Sequence, residues 1–236
     1  MTGFRKNIEV DVHDVDFNGV CRISSLMKYI QSTAQQQLTE NGMSYDQLRD
    51  MKRAFIISKI RLEFNAPVYS YDRLDAETFP CVSRGYSFLR CYGLYKNGEP
   101  IGRAISVWAL IDTENRSLVK VGDFDLNLAT SEPWDMPIGR INMPQAMTRV
   151  GEYVVSYADL DRNKHINNTK YADIFSSFLP LDKKRIDCIT ISYVNEAKFK
   201  EKLDVFLEKS GDLFYIRTVR EDGKINAEAE IHITSL

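Results

Sequence analysis

Two stretches decide how this chain is read: V10-D-V-H-D-V-D-F-N-G19 and V155-S-Y-A-D-L-D-R-N-K164. At one constant offset Asp14 falls on Asp159, Asp16 on Asp161 and Asn18 on Asn163. Self-similarity of this kind points to a duplicated unit, and the segments after each stretch bear the same pattern. After the first, S24-S-L-M-K-Y-I-Q-S-T-A-Q-Q-Q-L-T-E-N-G42 predicts a helix with Ser24 as N-cap and Gly42 as its stop. Leu26, Ile30, Ala34 and Leu38 share one face of it. After the second, Asn167 or Asn168 caps a helix with the stripe Tyr171, Ile174, Phe175 and Phe178, ended by Pro180.

Strands follow each helix. A54-F-I-I-S-K-I-R-L-E-F-N-A-P67 resembles I186-D-C-I-T-I-S-Y-V-N-E-A-K198, with Asn65–Ala66 over Glu196–Ala197. L74-D-A-E-T and L203-D-V-F-L read as the next strand of each copy. Asn97-Gly98 and Asp222-Gly223 tolerate the positive φ of a type I′ turn, so each marks a hairpin. Alternating runs, G102-R-A-I-S-V-W-A-L-I-D112 and I225-N-A-E-A-E-I-H-I233, close the copies. The fold class is therefore α+β, a double hot dog: two repeats, each an antiparallel sheet wrapped around a long helix. The N-terminal repeat is expected over residues 1–128 and the C-terminal repeat over 148–236. A connector over 129–147 carries Pro133, Pro137 and Pro144.

Composition narrows the function. Hydrophobic residues make up 44% and charged residues 27%, an ordinary globular balance. A net charge of -2 gives no reason to expect nucleic acid as a partner. No apolar run is long enough for a membrane span, and M1-T-G-F-R-K-N-I-E-V10 lacks the apolar core of a signal peptide. Cys21, Cys81, Cys91 and Cys188 are scattered, which argues for buried thiols, no zinc site and a reducing cytoplasm. There is no Gly-rich phosphate loop, no metal-ligand spacing and no G-x-S-x-G elbow, so neither metal nor cofactor is expected. His13 and His232 fall in alternating patterns and read as solvent-facing or edge residues. Trp108 reads as core, and Trp134 as the residue that pins the connector.

The second stretch continues into an unusual set: Asp161, Asn163 and His165, two apart, ahead of a helix. In extended backbone their side chains share a face. Two readings compete, a well-capped loop and a group of catalytic side chains. The repeat supplies a control. The first copy keeps Asp16 and Asn18 but places Val20 where His165 falls, and Asn65 where Glu196 falls. Packing or capping does not explain why an imidazole and a carboxylate occur together in one copy only. The asymmetry favours one active centre per chain, on the second repeat, with the first free to shape a ligand cavity. Unpaired amides at the following helix start, Ile166, Asn167 and Asn168, would suit an oxyanion.

L160-D-R-N-K-H-I-N-N-T-K-Y171 resembles the D-x-N-x-H-x-N-N-x-x-Y signature of the plant and bacterial acyl-acyl carrier protein thioesterases. The segment I189-T-I-S-Y-V-N-E-A197 is similar to that family's second catalytic segment. D16-F-N-G19, the helix over 24–41 and R103-A-I-S-V-W108 extend the likeness to nearly the whole chain. The resemblance implies a double hot dog and hydrolysis of fatty acyl-acyl carrier protein to free fatty acid, ending or diverting fatty acid synthesis. It implies Asp161, Asn163, His165 and Glu196 as the catalytic network. Plant members often carry Cys directly after that Glu; Ala197 here excludes an enzyme thiol nucleophile at that position. Glu196 is the preferred water-activating base, with Asp161 orienting His165 or Asn163.

The acyl pocket is expected against the first-repeat helix and its sheet, at Leu26, Met27, Ile30, Ala34, Phe55 and Ile57. Acyl carrier protein is acidic, so Arg162, Lys164, Lys170, Lys198 and Lys200 are the candidate docking residues, with Lys198, Lys200 and Lys202 alternating on one strand face. An acyl-CoA thioesterase of the same fold and a non-enzymatic acyl-binding module remain as alternatives. Two fused repeats mimic a hot-dog dimer, so both a monomer and a homodimer are compatible with the sequence.

Overall fold

A computed structural model describes residues 3–236 of the chain. Five strands form the first half of one large sheet: β1 (Phe4–Glu9), β2 (Arg53–Phe64), β3 (Arg73–Pro80), β4 (Phe88–Lys96) and β5 (Glu99–Asp112). A short β6 (Ser117–Val119) pairs with the end of β5. The second half is β7 (Thr148–Val154), β8 (Lys184–Tyr193), β9 (Lys202–Ser210), β10 (Leu213–Arg220) and β11 (Ile225–Ser235). The order across the sheet is β1-β3-β4-β5-β2-β8-β11-β10-β9-β7. Reading inward from either edge gives the same succession of strands, so the duplication seen in the sequence is a duplication of topology. The halves join where β2 and β8 pair antiparallel, from Lys59 opposite Ser192 to Glu63 opposite Cys188.

Alternation sets the faces. On β2, Ile60, Leu62 and Phe64 point into the core while Lys59, Arg61 and Glu63 face outward, Arg61 bonded to Glu63 at 2.9 Å. Asn97 and Gly98 both have positive φ, 55° and 83°, as the type I′ turn between β4 and β5 requires. The β10–β11 turn differs from expectation. Only Gly223 is positive, at 78°, because the Asp222 carboxylate holds the Lys224 amide at 3.1 Å and the turn closes as a longer loop from Arg220 to Lys224.

The long helix α1 (Ile23–Glu40) lies against β1, β3 and β4 and buries Leu26, Met27, Ile30 and Ala34. It starts earlier than predicted: Arg22 is the N-cap, without a side-chain bond, and Ser24 is buried within the first turn. Gly42 ends it at φ 76°, with the Met43 amide returning to the Leu38 carbonyl at 2.8 Å. A second helix, α2 (Tyr45–Asp50), was not anticipated. Ser44 and Gln47 form its capping box. The helix of the second repeat, α3 (Lys170–Ser176), is far shorter than α1 and packs against it. Phe178 falls beyond α3 but still packs on the core, and a Cβ on Gly151 would lie 2.9 Å from its ring, so β7 passes it as bare backbone.

One apolar core spans both halves. A smaller cluster, Cys81, Cys91, Ile105 and Met136, lies under the Pro-rich segment. Trp134 joins it edge-on to Phe79, ring centres 5.4 Å apart, and so pins that segment to the body. His13 sits on a short 3-10 turn, Val12–Asp14, rather than a strand, and is exposed. His232 lies on β11 with Nδ1 2.6 Å from Asp187. Among the described residues, no helix is long and apolar enough to cross a membrane, and no three His, Cys, Asp or Glu side chains group to hold a metal.

Candidate active site

The site is built by the loop between β7 and α3. Past the 3-10 turn Tyr157–Asp159, the chain doubles back on Asp161. Its carboxylate accepts the amides of Asn163 at 2.8 Å and His165 at 3.3 Å, and its own amide donates to the His165 carbonyl at 2.9 Å. Lys164 takes the left-handed conformation, φ 65°, that closes this turn. The loop then runs beside the segment following β8: the Ile166 amide donates to the Ala197 carbonyl at 3.1 Å, and His165 bridges to Lys198. That pairing brings the two predicted partners together, His165 Nε2 lying 3.2 Å from Glu196 Oε2. The imidazole side chain is 25% exposed and the carboxylate 59%, so water reaches Glu196 directly.

Glu196 is held by its neighbours. Asn195 donates from its side chain to the Ile225 carbonyl at 2.7 Å and from its amide to the Asn226 carbonyl at 3.0 Å. Asn226, fully buried, donates to the Tyr171 hydroxyl at 2.9 Å. Burial pushes the Tyr171 phenol up to about 12, so it stays a neutral bracket.

Asn163 reaches the other way. Its Oδ1 accepts the Tyr45 hydroxyl at 3.1 Å and its Nδ2 donates to Asp161 Oδ2 at 3.3 Å, which leaves one Nδ2 proton free for a ligand. Asn163, Asn167 and Thr169 border a cavity of about 960 Å³ that runs along α1 into the first half of the molecule. Its apolar wall includes Ala34, Leu38, Phe55, Phe88, Trp108 and Phe124. Of the predicted pocket residues, Ala34 and Phe55 line it. Leu26, Met27, Ile30 and Ile57 do not: they are buried in the core between α1 and the sheet. Trp108 packs on the core, as expected, and its other side forms part of the cavity wall, its indole N–H bonded to Ser106 at 2.6 Å. Tyr45, which both lines the cavity and holds Asn163, was missed because α2 was missed.

The oxyanion donors need revision. The Ile166 amide is bonded to Ala197, and the Asn167 amide donates to the Asp159 carbonyl at 2.8 Å. Among the described residues the Asn168 amide alone of the three makes no hydrogen bond. The Asn168 side chain accepts Gln31 of α1 at 3.0 Å, and its carbonyl accepts the Tyr193 hydroxyl at 3.0 Å. Thr169 takes the N-cap position of helix α3 without a side-chain capping bond, and the side chain of Asn167, one of the two predicted caps, accepts the Thr169 amide and hydroxyl at 3.0 and 2.9 Å.

The basic residues are placed unevenly. Lys164, Lys198 and Lys200 are exposed beside the His165–Glu196 pair. Lys198, Lys200 and Lys202 do not alternate on a strand: Lys200 has φ 66° in a turn, the Lys198 amide is held by Glu201 at 3.0 Å, and β9 begins only at Lys202. Arg162 lies over the Tyr45 ring at 4.4 Å and 3.7 Å from Asp46, and Lys170 is 3.8 Å from Asp173. The counterpart of Glu196 also shifts. Asn65 donates from its side chain to the Pro100 carbonyl at 3.0 Å and from its amide to Ile101 at 3.1 Å, which is the bonding of Asn195, not of Glu196. Ala66 and Pro67 therefore stand where the second half has Glu196, and the first half still lacks a carboxylate there.

The model of the acyl-ACP thioesterase N-terminal domain matches residues 2–125, and that of the C-terminal domain matches residues 143–235. The chain is 23% identical over 214 residues to the chloroplastic acyl-[acyl-carrier-protein] hydrolase FATB2 of Cuphea viscosissima, covering 82% of this chain and 52% of that one. It is 24% identical over 228 residues to the chloroplastic oleoyl-acyl carrier protein thioesterase 2 of Arabidopsis thaliana, covering 85% and 61%. It thus spans between half and two thirds of the length of these relatives. Its fold matches the crystal structure of an acyl-ACP thioesterase from Bacteroides thetaiotaomicron, with a TM-score of 0.90, 20% identity and 98% and 97% coverage. The 12:0-ACP thioesterase from Umbellularia californica matches with a TM-score of 0.82, 17% identity and 99% and 97% coverage. With both domain models matched in sequence order and both halves of the double hot dog in place, this chain belongs to the acyl-ACP thioesterase family.

Proposed function

We propose that this protein hydrolyses the thioester joining a fatty acyl chain to the phosphopantetheine arm of acyl carrier protein, releasing free fatty acid and so ending or diverting chain synthesis. The observation that carries this reading is the juxtaposition of a deep, mostly apolar cavity in one half with Asn163 at its border, on the loop that also carries the His165–Glu196 pair. Residues 1–128 hold the acyl chain, residues 148–236 supply the chemistry, and residues 129–147 connect them.

In this mechanism Glu196 takes a proton from water as the water oxygen bonds to the thioester carbon. The negative charge moves to the carbonyl oxygen, where the Asn168 amide and the free Nδ2 proton of Asn163 are the available donors; one such donor is typically worth about 3 kcal/mol of barrier. The carbon–sulfur bond then breaks and the proton passes through His165 to the leaving thiolate. Asp161 acts as a positioning residue, through its bonds to the backbone of Asn163 and His165. No thiol follows the base, because Ala197 is the next residue after Glu196.

The acidic carrier docks beside the pair, at the exposed Lys164, Lys198 and Lys200, with Lys200 Nζ 5.4 Å from the centre of the exposed Phe199 ring. A cytoplasmic location and self-association through an edge strand, β1 or β7, complete the reading. Thiol release from matched acyl carrier protein and acyl-CoA thioesters tests it. Faster turnover of the carrier-borne substrate is expected, with Lys198→Glu/Lys200→Glu raising KM for that substrate more than for the CoA ester. Release from CoA esters alone would replace this reading with acyl-CoA hydrolysis, and release from neither would leave a binding module.

A further inference from the structure

The cavity wall is not uniformly apolar. Arg90, on β4, lines it and is only 7% exposed. Its Nη1 donates to Gln37 Oε1 at 2.6 Å and to Thr78 Oγ1 at 3.1 Å. Nε and Nη2 donate to no protein group among the described residues, and no carboxylate pairs with the guanidinium. Among the described residues, no side-chain nitrogen or oxygen that is sealed from solvent lacks a partner. Nε and Nη2 therefore border open space, and the space that Arg90 lines is the cavity. Burial disfavours the guanidinium's charge, Tyr92 and Cys81 offset it only in part, and no carboxylate pairs with it among the described residues.

The rest of the wall adds to this imbalance. Lys28, Arg49, Arg53 and Arg90 line it against one carboxylate, Asp125, which is exposed and accepts the Asn127 amide at 2.7 Å. Arg49 and Arg53 have carboxylate partners, Asp46 at 3.1 Å and Asp112 at 2.6 Å; Arg90 has none. Its depth is set by α1. Gln31 holds Asn168 at the loop end, and Gln37 holds Arg90, six residues further on, about 9 Å at 1.5 Å per residue. A plain alkyl chain laid over Arg90 would strip solvent from a charged group and leave two donors unmatched. A carboxylate there would meet two N–H groups of a fork shaped for it.

We propose that this cavity takes acyl chains carrying a carboxylate at their far end, and that Arg90 receives it through Nε and Nη2. Arg90 is then a specificity-determining residue, and plain chains bind only where they stop short of it. The proposal rests on the thioester hydrolysis reading, and its test separates the two. The substrates are octanoyl, decanoyl and dodecanoyl thioesters of acyl carrier protein, each with its ω-carboxy and ω-hydroxy counterpart. For wild-type protein, kcat/KM for the ω-carboxy chain should exceed that for the plain chain of matched length by about tenfold or more at the best length, with ω-hydroxy between. Arg90→Met should abolish that preference and raise turnover of the longest plain chain; Arg90→Lys, which keeps charge without the fork, should retain part of it. The wild-type comparison stands even if Arg90→Met does not fold. Wild-type preference for plain chains at every length, or an unchanged preference in folded Arg90→Met, would overturn the proposal while leaving hydrolysis intact. Release from none of the thioesters would overturn both.

Discussion

The loops over residues 10–22 and 155–167 are built from the same bonds. In the first, the Asp16 carboxylate accepts the amides of Asn18 and Val20 at 2.8 and 3.1 Å, and the Asp16 amide donates to the Val20 carbonyl at 2.8 Å. In the second, Asp161 does the same for Asn163 and His165 at 2.8, 3.3 and 2.9 Å. The Arg22 amide meets the Asp14 carbonyl at 2.9 Å as the Asn167 amide meets Asp159 at 2.8 Å. The loops part at two side chains. Asn18 is locked into the other half, donating to the carbonyls of Leu181 and Lys184 at 2.7 and 3.1 Å and accepting the Lys183 amide at 3.0 Å. Asn163 instead faces the cavity, held only by Tyr45 and Asp161. Val20 is buried where His165 faces Glu196. The difference teaches that the aspartate is first a turn former, since it does the same work in the half that lacks the imidazole and the carboxylate.

The widest contrast should come from the pair itself. His165→Ala and Glu196→Gln are each expected to lower kcat by about 10²–10⁴-fold with the Tm little changed, whereas Val20→Ala should lower the Tm and leave kcat intact. Stopped-flow thiol release and thermal melts read both. Next, the two asparagines should exchange consequences. Asn163→Ala should cost tenfold or more in kcat, about one lost oxyanion contact, with little loss of stability. Asn18→Ala should cost about 1 kcal/mol in urea unfolding, because it removes the hydrogen bonds that tie the loop to residues 181–184, at wild-type kcat. The smallest contrast is between the aspartates. Asp16→Ala and Asp161→Ala should lose similar stability, about 1–2 kcal/mol each, and only Asp161→Ala should also slow turnover. Equal kcat in the two aspartate variants would show that turn formation is all Asp161 does.

The duplicated topology was legible because it rests on local signals: the Asp-x-Asn turns, the helix ended by Gly42 and the Asn97-Gly98 hairpin. The His165–Glu196 encounter was legible through the asymmetry between copies. What escaped was set by distance in the chain. Tyr45 and Asn163 are separated by 118 residues, and although the Ser44–Gln47 capping box marks a helix, nothing local says where its tyrosine reaches. Helical spacing put Leu26 and Ile30 on the inward face correctly, but cannot tell where that face meets core and where it meets a cavity. Asn65 was paired with the wrong partner because hydrogen bonds to Pro100 and Ile101, not side-chain likeness, fix its register. Lys198 and Lys200 read as alternating only while the left-handed turn at Lys200 was unseen.

If one imidazole and one carboxylate act as a unit, their losses must not add. The decisive measurement is kcat for His165→Ala, Glu196→Gln and the double variant on a single carrier-borne substrate. The double variant should be no slower than the slower single one. Losses that multiply in the double variant, or either single variant turning over at the wild-type rate, would contradict a single shared centre in the second half.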